Sequence, residues 1–495
     1  MFKKFILDPF LTTALKFPEN NSFCIDDEYY TYGELIQKIS LIAKYLQNNN
    51  EKIIGLVAQD DLITYASIFA IWICGKSYVP LNPIIPALRN QNVIEQVGIT
   101  TILDSKELAE LITDDFETSI NVLRNFSVGS EFDDQLAYIF FTSGSTGTPK
   151  GVMISKSNVA NFIQAFDALE YDINENDRCL QMFDLTFDLS VMSFLVPLLK
   201  GACVYTIPKD RIKYAYIFDL MDDKELSVML MVPSILNYLR PYFSEINCPK
   251  MRYSLFCGEA LDLKIVQEWA NCIPNSKINN VYGPTENTIF CTDYPFRRDE
   301  ENDSFNGVLS IGKPMLNNLT VVFNDENMPA SVNERGELCL AGAQLTSGYF
   351  KNSKLNLDLF FTTEYNGIPT RFYRTGDICL VNESGNITYI GRKDFQVKIQ
   401  GFRIELTEIE FYAKKVIHSN YNLIAMAVKN EASNHEIALI FEAENFDYNI
   451  VKDYLTSMLP SYMIPTQFYF INPFPLNING KIDRGTIANK LNLSL

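Results

Sequence analysis

Histidine is nearly missing from this chain: only His418 and His435 occur among 495 residues. Both fall late, among charged or polar neighbours, and read as surface residues. That argues against a Ser-His-Asp triad, a histidine-rich metal site and a paired-histidine acyl-condensing motif. Positive charge is also short, with 42 Lys and Arg against 60 Asp and Glu and a formal net charge of −18. A surface that negative repels nucleic acid and anionic lipid, so neither is expected as a partner. The 10 cysteines include no C-x-x-C pair and no framework spacing. They read as reduced, mostly buried thiols of a cytoplasmic protein. Long apolar runs are missing too. The longest, residues 63–74, carries Thr, Tyr and Ser and is too short to cross a bilayer. It reads as a buried helix, with no membrane insertion, and the start of the chain has no apolar leader.

What is present is enough for a sizeable core. Hydrophobic residues make up 47% of the chain and charged residues only 21%, which excludes a disordered protein. Residues 53–58, 76–81, 137–141, 228–232 and 338–341 are short apolar runs that read as buried strands, with helical patterns between them. This alternation predicts an α/β fold of packed sheets and helices, the sheets largely parallel. A smaller α+β unit starts near Gly391. It has a strand at 397–399, a helix at 407–416, strands at 423–428 and 437–441, and a helix at 450–458. The expected division is 1–393 and 394–495, joined by a short hinge, and no repeat or low-complexity tract is present.

Directly after the 137–141 strand comes Thr142-Ser143-Gly144-Ser145-Thr146-Gly147-Thr148-Pro149-Lys150-Gly151. Glycines and small hydroxylated residues let backbone N–H groups approach a polyphosphate closely, and Lys150 adds a point charge. The pattern is not the Walker loop, because Pro149 precedes the lysine and Gly151 follows it. A flexible Gly/Ser loop with no ligand is the bland alternative. Further on stand Tyr282-Gly283-Pro284-Thr285-Glu286, Arg374-Thr375-Gly376-Asp377, Gly391-Arg392-Lys393-Asp394 and Asn479-Gly480-Lys481. Taken singly, Asp377 with Arg392 would be a surface ion pair, and Lys481 an exposed lysine in a turn.

In this order, these segments resemble the adenylate-forming superfamily of acyl-CoA ligases, luciferases and adenylation domains of nonribosomal peptide synthesis. The resemblance runs from Thr31-Tyr32-Gly33-Glu34-Leu35 to Lys481 and covers nearly the whole chain. It implies that ATP and Mg²⁺ are used, with Thr142, Ser143, Gly144, Ser145, Thr146, Gly147 and Lys150 at the phosphates. Tyr282 would stack on adenine, Thr285 would bond the α-phosphate and Glu286 would hold the metal. Asp377 would accept the ribose hydroxyls, with Arg392 nearby and Asp394 at the hinge. Gly258 and Glu259 fall to the same nucleotide site. Lys481 would be the catalytic residue, bridging the substrate carboxylate and the α-phosphate while charge builds there. No side-chain base is needed, because a carboxylate is already ionised at neutral pH.

Phe187-Asp188-Leu189-Ser190-Val191 resembles the amino-acid-activating branch, in which the aspartate pairs with the substrate ammonium. A hydrogen-bonded structural aspartate is the alternative. The side-chain pocket would be walled by Met192, Ser234, Leu255, Cys257, Val281, Ile289 and Phe290, largely apolar and partly filled. That favours a small aliphatic amino acid. The stretches 187–192, 255–259 and 391–410 look like D-alanine–D-alanyl carrier protein ligases, so D-alanine is the favoured substrate. The acceptor would be the phosphopantetheine thiol of a separate carrier protein, since little chain follows Arg484. Three alternatives stay open: another L-amino acid in nonribosomal peptide synthesis, a CoA ligase for a small carboxylic acid, which should not need Asp188, and an inactive homologue. Three positions depart from the family pattern. Ser155 stands where histidine is common, Asn82 where aspartate is, and Asn287 where a small residue is usual.

Overall fold

The computed structural model describes residues 1–109, 115–125, 132–144, 148–417, 422–445, 447–476 and 482–494. Two large sheets form the body. In the nine-stranded sheet, Lys277–Tyr282, Tyr253–Phe256, Val228–Met231, Arg178–Gln181, Cys203–Thr206 and Asn21–Ile25 run parallel as neighbours. In the six-stranded sheet, Ile102–Leu103, Ile53–Val57, Ser77–Leu81 and Leu136–Thr142 are parallel, and Lys150–Ser155 returns antiparallel beside the last of them. These strands are buried on both faces, which is why they read as unbroken apolar runs and not as alternating patterns. The 63–74 run is indeed a core helix, Leu62–Ile73, with Tyr65, Phe69 and Trp72 fully enclosed.

One expectation needs correcting. The strand predicted at 338–341 forms as Gly336–Gly342, but in a third sheet of five strands that is wholly antiparallel. Its neighbour Ile368–Val381 is long and alternates buried with half-buried residues, the mark of a sheet covered on one side. Apolar content alone does not separate such a strand from a parallel one.

Two motif segments are helix starts. Thr31 and Glu34 form a reciprocal capping box on the helix Tyr32–Gln47. Ser155, one of the departures, caps Lys156–Asp167 in the same way with Asn158. Asn82, another, donates to Asp184 at 2.5 Å.

Beyond Arg392 the chain makes a hairpin of Gln396–Ile399 and Phe402–Glu405, then the helix Leu406–Ala413. A three-stranded sheet of Leu423–Lys429, His435–Phe441 and Gln467–Phe470 follows, with the helix Asn449–Met458. This part keeps separate apolar clusters, around Ile404, Leu439 and Leu455 and around Ile440 and Ile487. It meets the body through polar contacts, such as Arg403 with Glu286 and Asn237 with Asn434, and through the ring of Phe402 against Phe187.

Candidate active site

Strand ends of the body converge on a cavity of about 130 Å³. Thr142 and Ser143 come from the end of Leu136–Thr142, Cys257 and Gly258 follow Tyr253–Phe256, and Tyr282 ends Lys277–Tyr282. Asp188, Thr285, Asp377 and Arg392 are among the other body residues that line it. Ligand clefts of open parallel sheets form at such carboxyl ends. The hairpin closes the cavity with Gln396, Lys398, Gln400, Gly401, Phe402 and Arg403.

Asp188 begins the helix Leu189–Lys200 and is buried. One of its oxygens accepts the Ile289 N–H at 3.0 Å. Thr288 and Ile289 reach that geometry with φ of 53° and 73°, a backbone region that strains a β-branched residue and marks a constrained segment. Burial pushes the Asp188 carboxyl up to about 7, against the pull of that hydrogen bond. Of the expected pocket wall, Cys257 lines the cavity with Asp188. Its thiol is pushed up to about 12 by burial, so it is a neutral wall and no nucleophile. Ser234 lines instead a neighbouring groove of about 630 Å³. Met192, Leu255, Val281, Ile289 and Phe290 are buried in the body's core, off the cavity lining. Phe290 packs edge-on against Phe162 with ring centroids 5.0 Å apart.

At the nucleoside end, Asp377 is buried and takes the Tyr282 phenol on one oxygen and Arg392 Nη1 on the other, the latter at 2.7 Å. Arg392 also grips Asp394 through two hydrogen bonds, of 2.7 and 2.9 Å. The expected ribose acceptor, its arginine and the hinge aspartate are thus one connected group.

At the phosphate end the hairpin supplies residues that the motifs alone did not indicate. Arg403 Nη1 lies 2.9 and 2.8 Å from the two oxygens of Glu286, which is fully buried and also accepts from Tyr349. Burial would raise the Glu286 carboxyl, but Arg403 and Lys150 outweigh it and hold the group well below the usual range. Lys150 pairs with Glu405 at 3.2 Å. Glu408 accepts the Gly144 N–H at 3.2 Å and Arg89 at 2.8 Å. Ser143 donates to the Arg403 carbonyl at 2.8 Å. Gly144 and Lys150 are therefore paired with carboxylates, Ser143 with a backbone carbonyl, and the buried Glu286 with a guanidinium. Donors that bind Glu405 and Glu408 fit a polyphosphate, and a carboxylate that binds a guanidinium fits a divalent cation. Among the described residues no group of three or more His, Cys, Asp or Glu could hold a metal. An ion at Glu286 would thus draw its other ligands from phosphate and water. Ser145, Thr146, Gly147 and Lys481 lie outside the described residues.

A sequence signal for the hairpin's role was present in Arg403-Ile404-Glu405-Leu406-Thr407-Glu408, where charges recur just after Gly401. Only the fold shows what they face.

A buried carboxylate that binds a phenol and a guanidinium, a lysine and a backbone amide that bind carboxylates, and a second buried carboxylate share one cleft of a layered α/β body, an arrangement that fits a nucleotide. The chain belongs to the AMP-binding enzyme family, whose model matches residues 10–350. It is 32% identical over 498 residues to zwittermicin A synthase ZmaJ of Bacillus cereus, an alignment covering 96% of this chain and 93% of ZmaJ. Tyrocidine synthase 3 of Brevibacillus parabrevis is 30% identical over 493 residues. That alignment covers 97% of this chain, which spans only 7% of the length of the synthase. Among solved structures, the Vibrio cholerae adenylation domain AlmE, in complex with glycyl-adenosine-5'-phosphate, superposes with a TM-score of 0.86. It is 24% identical and matches over 98% of this chain and 97% of its own, which establishes the adenylate-forming fold. No helix among the described residues is long and apolar enough to cross a membrane.

Proposed function

We propose that this chain joins a small amino acid to AMP at the expense of ATP and then passes the aminoacyl group to the phosphopantetheine thiol of a separate carrier protein. D-alanine is the favoured substrate. The observation that carries the reading is Asp188, a buried carboxylate at the cavity that accepts the Ile289 N–H and has no cation of its own among the described residues. Such a group is costly to bury unless a cation joins it, and the ammonium of an amino acid is a cation of the right size. Cys257 beside it leaves room for a small side chain only.

The rest of the site takes roles that follow from its chemistry. Lys150 and the Gly144 amide bind phosphate, Asp377 holds the ribose, and Tyr282 faces the base. Magnesium held by Glu286 would neutralise charge on the phosphates. Lys481 would stabilise the charge that develops as the carboxylate attacks the α-phosphorus. The unit 394–495 moves on the Asp394 hinge, because the hairpin and the polyphosphate compete for the same groups. ATP–pyrophosphate exchange tests the reading, run with D- and L-alanine, glycine, larger amino acids and propionate. Exchange is expected with small amino acids, D-alanine foremost, and not with propionate. Exchange with propionate alone would make the chain a carboxylic acid ligase.

A further inference from the structure

We propose that Glu259 is a positioning residue for the transfer step, latching Gly401 of the small part against the body so that the incoming thiol meets the activated acyl group. The inference rests on the function proposed above, and it reassigns a residue that the resemblance placed at the nucleotide.

Glu259 spans the two parts of the chain. One carboxylate oxygen accepts the Gly401 N–H at 2.9 Å, and the other accepts the Ser234 N–H at 2.8 Å. These backbone partners stand one on each side of the interface, and neither belongs to the nucleoside end of the site. Gly401 is pressed onto the body. With φ of +81°, a Cβ there would come within 2.5 Å of Val232 Cγ1, and a Cβ on Gly258 would sit 3.7 Å from the Gly401 Cα. Gly401 itself meets the body through the Gly258 backbone and the Val232 side chain, and the Glu259 hydrogen bond helps fix the depth of that contact.

Location gives the contact its purpose. Gly401 lines the cavity that holds Asp188 and Cys257, while its neighbours Gln400 and Phe402 also line the groove together with Val232 and Ser234. The hairpin tip is thus the partition between acyl pocket and outer groove. The same docking puts Arg403 on Glu286 and Glu405 on Lys150, which a bound polyphosphate would not permit. This arrangement therefore belongs to states without bound polyphosphate, among them the one left after loss of pyrophosphate. In the step it serves, sulfur forms a bond to the acyl carbon and the acyl C–O bond to phosphate breaks. AMP departs with that electron pair, and the thiol proton goes to solvent. A latch that sets the tip decides how closely sulfur can approach.

The test uses the full chain with Glu259→Gln, which keeps shape but gives up one acceptor, and Gly401→Ala, which keeps Glu259 but blocks the fit. Amide hydrogen exchange across residues 396–405 reads the latch directly. ATP–pyrophosphate exchange reads the first half-reaction, and single-turnover transfer from preformed adenylate to pantetheine reads the second. Exchange of the hairpin amides should quicken in both variants. Transfer should fall about tenfold or more relative to adenylation, the scale expected for one hydrogen bond to a charged group. Equal loss in both half-reactions would return Glu259 to the nucleotide site and overturn the proposal, as would unchanged hairpin protection. Should Glu259→Gln fail to fold, Gly401→Ala is read by the same criteria. A wild-type chain with no amino-acid-dependent pyrophosphate exchange would instead overturn the proposed function, and the hairpin amides would still report whether the latch exists.

Discussion

Asp188 is a carboxylate with a backbone donor in an apolar wall, and burial raises its pKa. The sign of the pH effect can be worked out. Below about 7 the group holds a proton and loses its attraction for an ammonium; above it, the charge is present. The KM for the amino acid should therefore rise as pH falls through neutrality and level off on the alkaline side. Asp188→Asn should raise that KM several hundred-fold, since breaking a buried charge pair costs ~3–5 kcal/mol, and should flatten the pH profile. Steady-state kinetics at saturating ATP decide the matter: a normal KM in the mutant would remove the ammonium from this pocket. Cys257→Ala makes a finer test of size. A pocket discriminates one methylene by only ~1–3 kcal/mol, so the ratio of kcat/KM for 2-aminobutyrate to that for alanine should rise without a complete switch. Fixed ratios would make Cys257 a packing residue. Candidate site residues were suggested by the sequence where the chemistry is local, as in the glycine and hydroxyl run at 142–151. Arg403 was not, because its partner Glu286 lies 117 positions away.

Elements were read well where burial on both faces makes a run of apolar residues, as in Ile53–Val57, Leu136–Thr142 and Leu62–Ile73. The antiparallel third sheet was not legible, because strand direction is a property of connections, not of composition. The 396–405 hairpin is the element whose meaning depended most on the fold. Its charges mirror those of a metal-bound polyphosphate: Arg403 faces Glu286, and Glu405 faces Lys150. While docked, it holds the groups that ATP requires, so apparent ATP affinity is reduced by the fraction of molecules left open. Arg403→Ala removes the cation from a fully buried carboxylate and should undock the hairpin. MgATP should then bind more tightly, tenfold for each ~1.4 kcal/mol of docking lost, while thiol transfer slows. Isothermal titration with MgATP measures the first effect. Weaker binding in the mutant would mean that Arg403 contacts the nucleotide itself.

At the level of the whole molecule, the expected division at 393 rests on a change of pattern from long α/β layers to a short α+β unit, and the described residues beyond Arg392 hold apolar clusters of their own. The interface between the two was not legible, since no periodicity marks surfaces that meet through ion pairs, backbone and a few aromatic contacts. The ion pairs also fix a kinetic order. The docked hairpin occupies Lys150 and Glu286; under the proposed function pyrophosphate would need the same groups, so the carrier thiol would enter only after pyrophosphate has left. Steady-state rates plotted against carrier and ATP should give parallel reciprocal lines at negligible pyrophosphate. Added pyrophosphate should raise the apparent KM for the carrier and leave the maximal rate intact. Intersecting lines without added pyrophosphate would show that both ligands share the site. The paired charges thus work as a turnstile, admitting the second substrate only after the first has left its change behind.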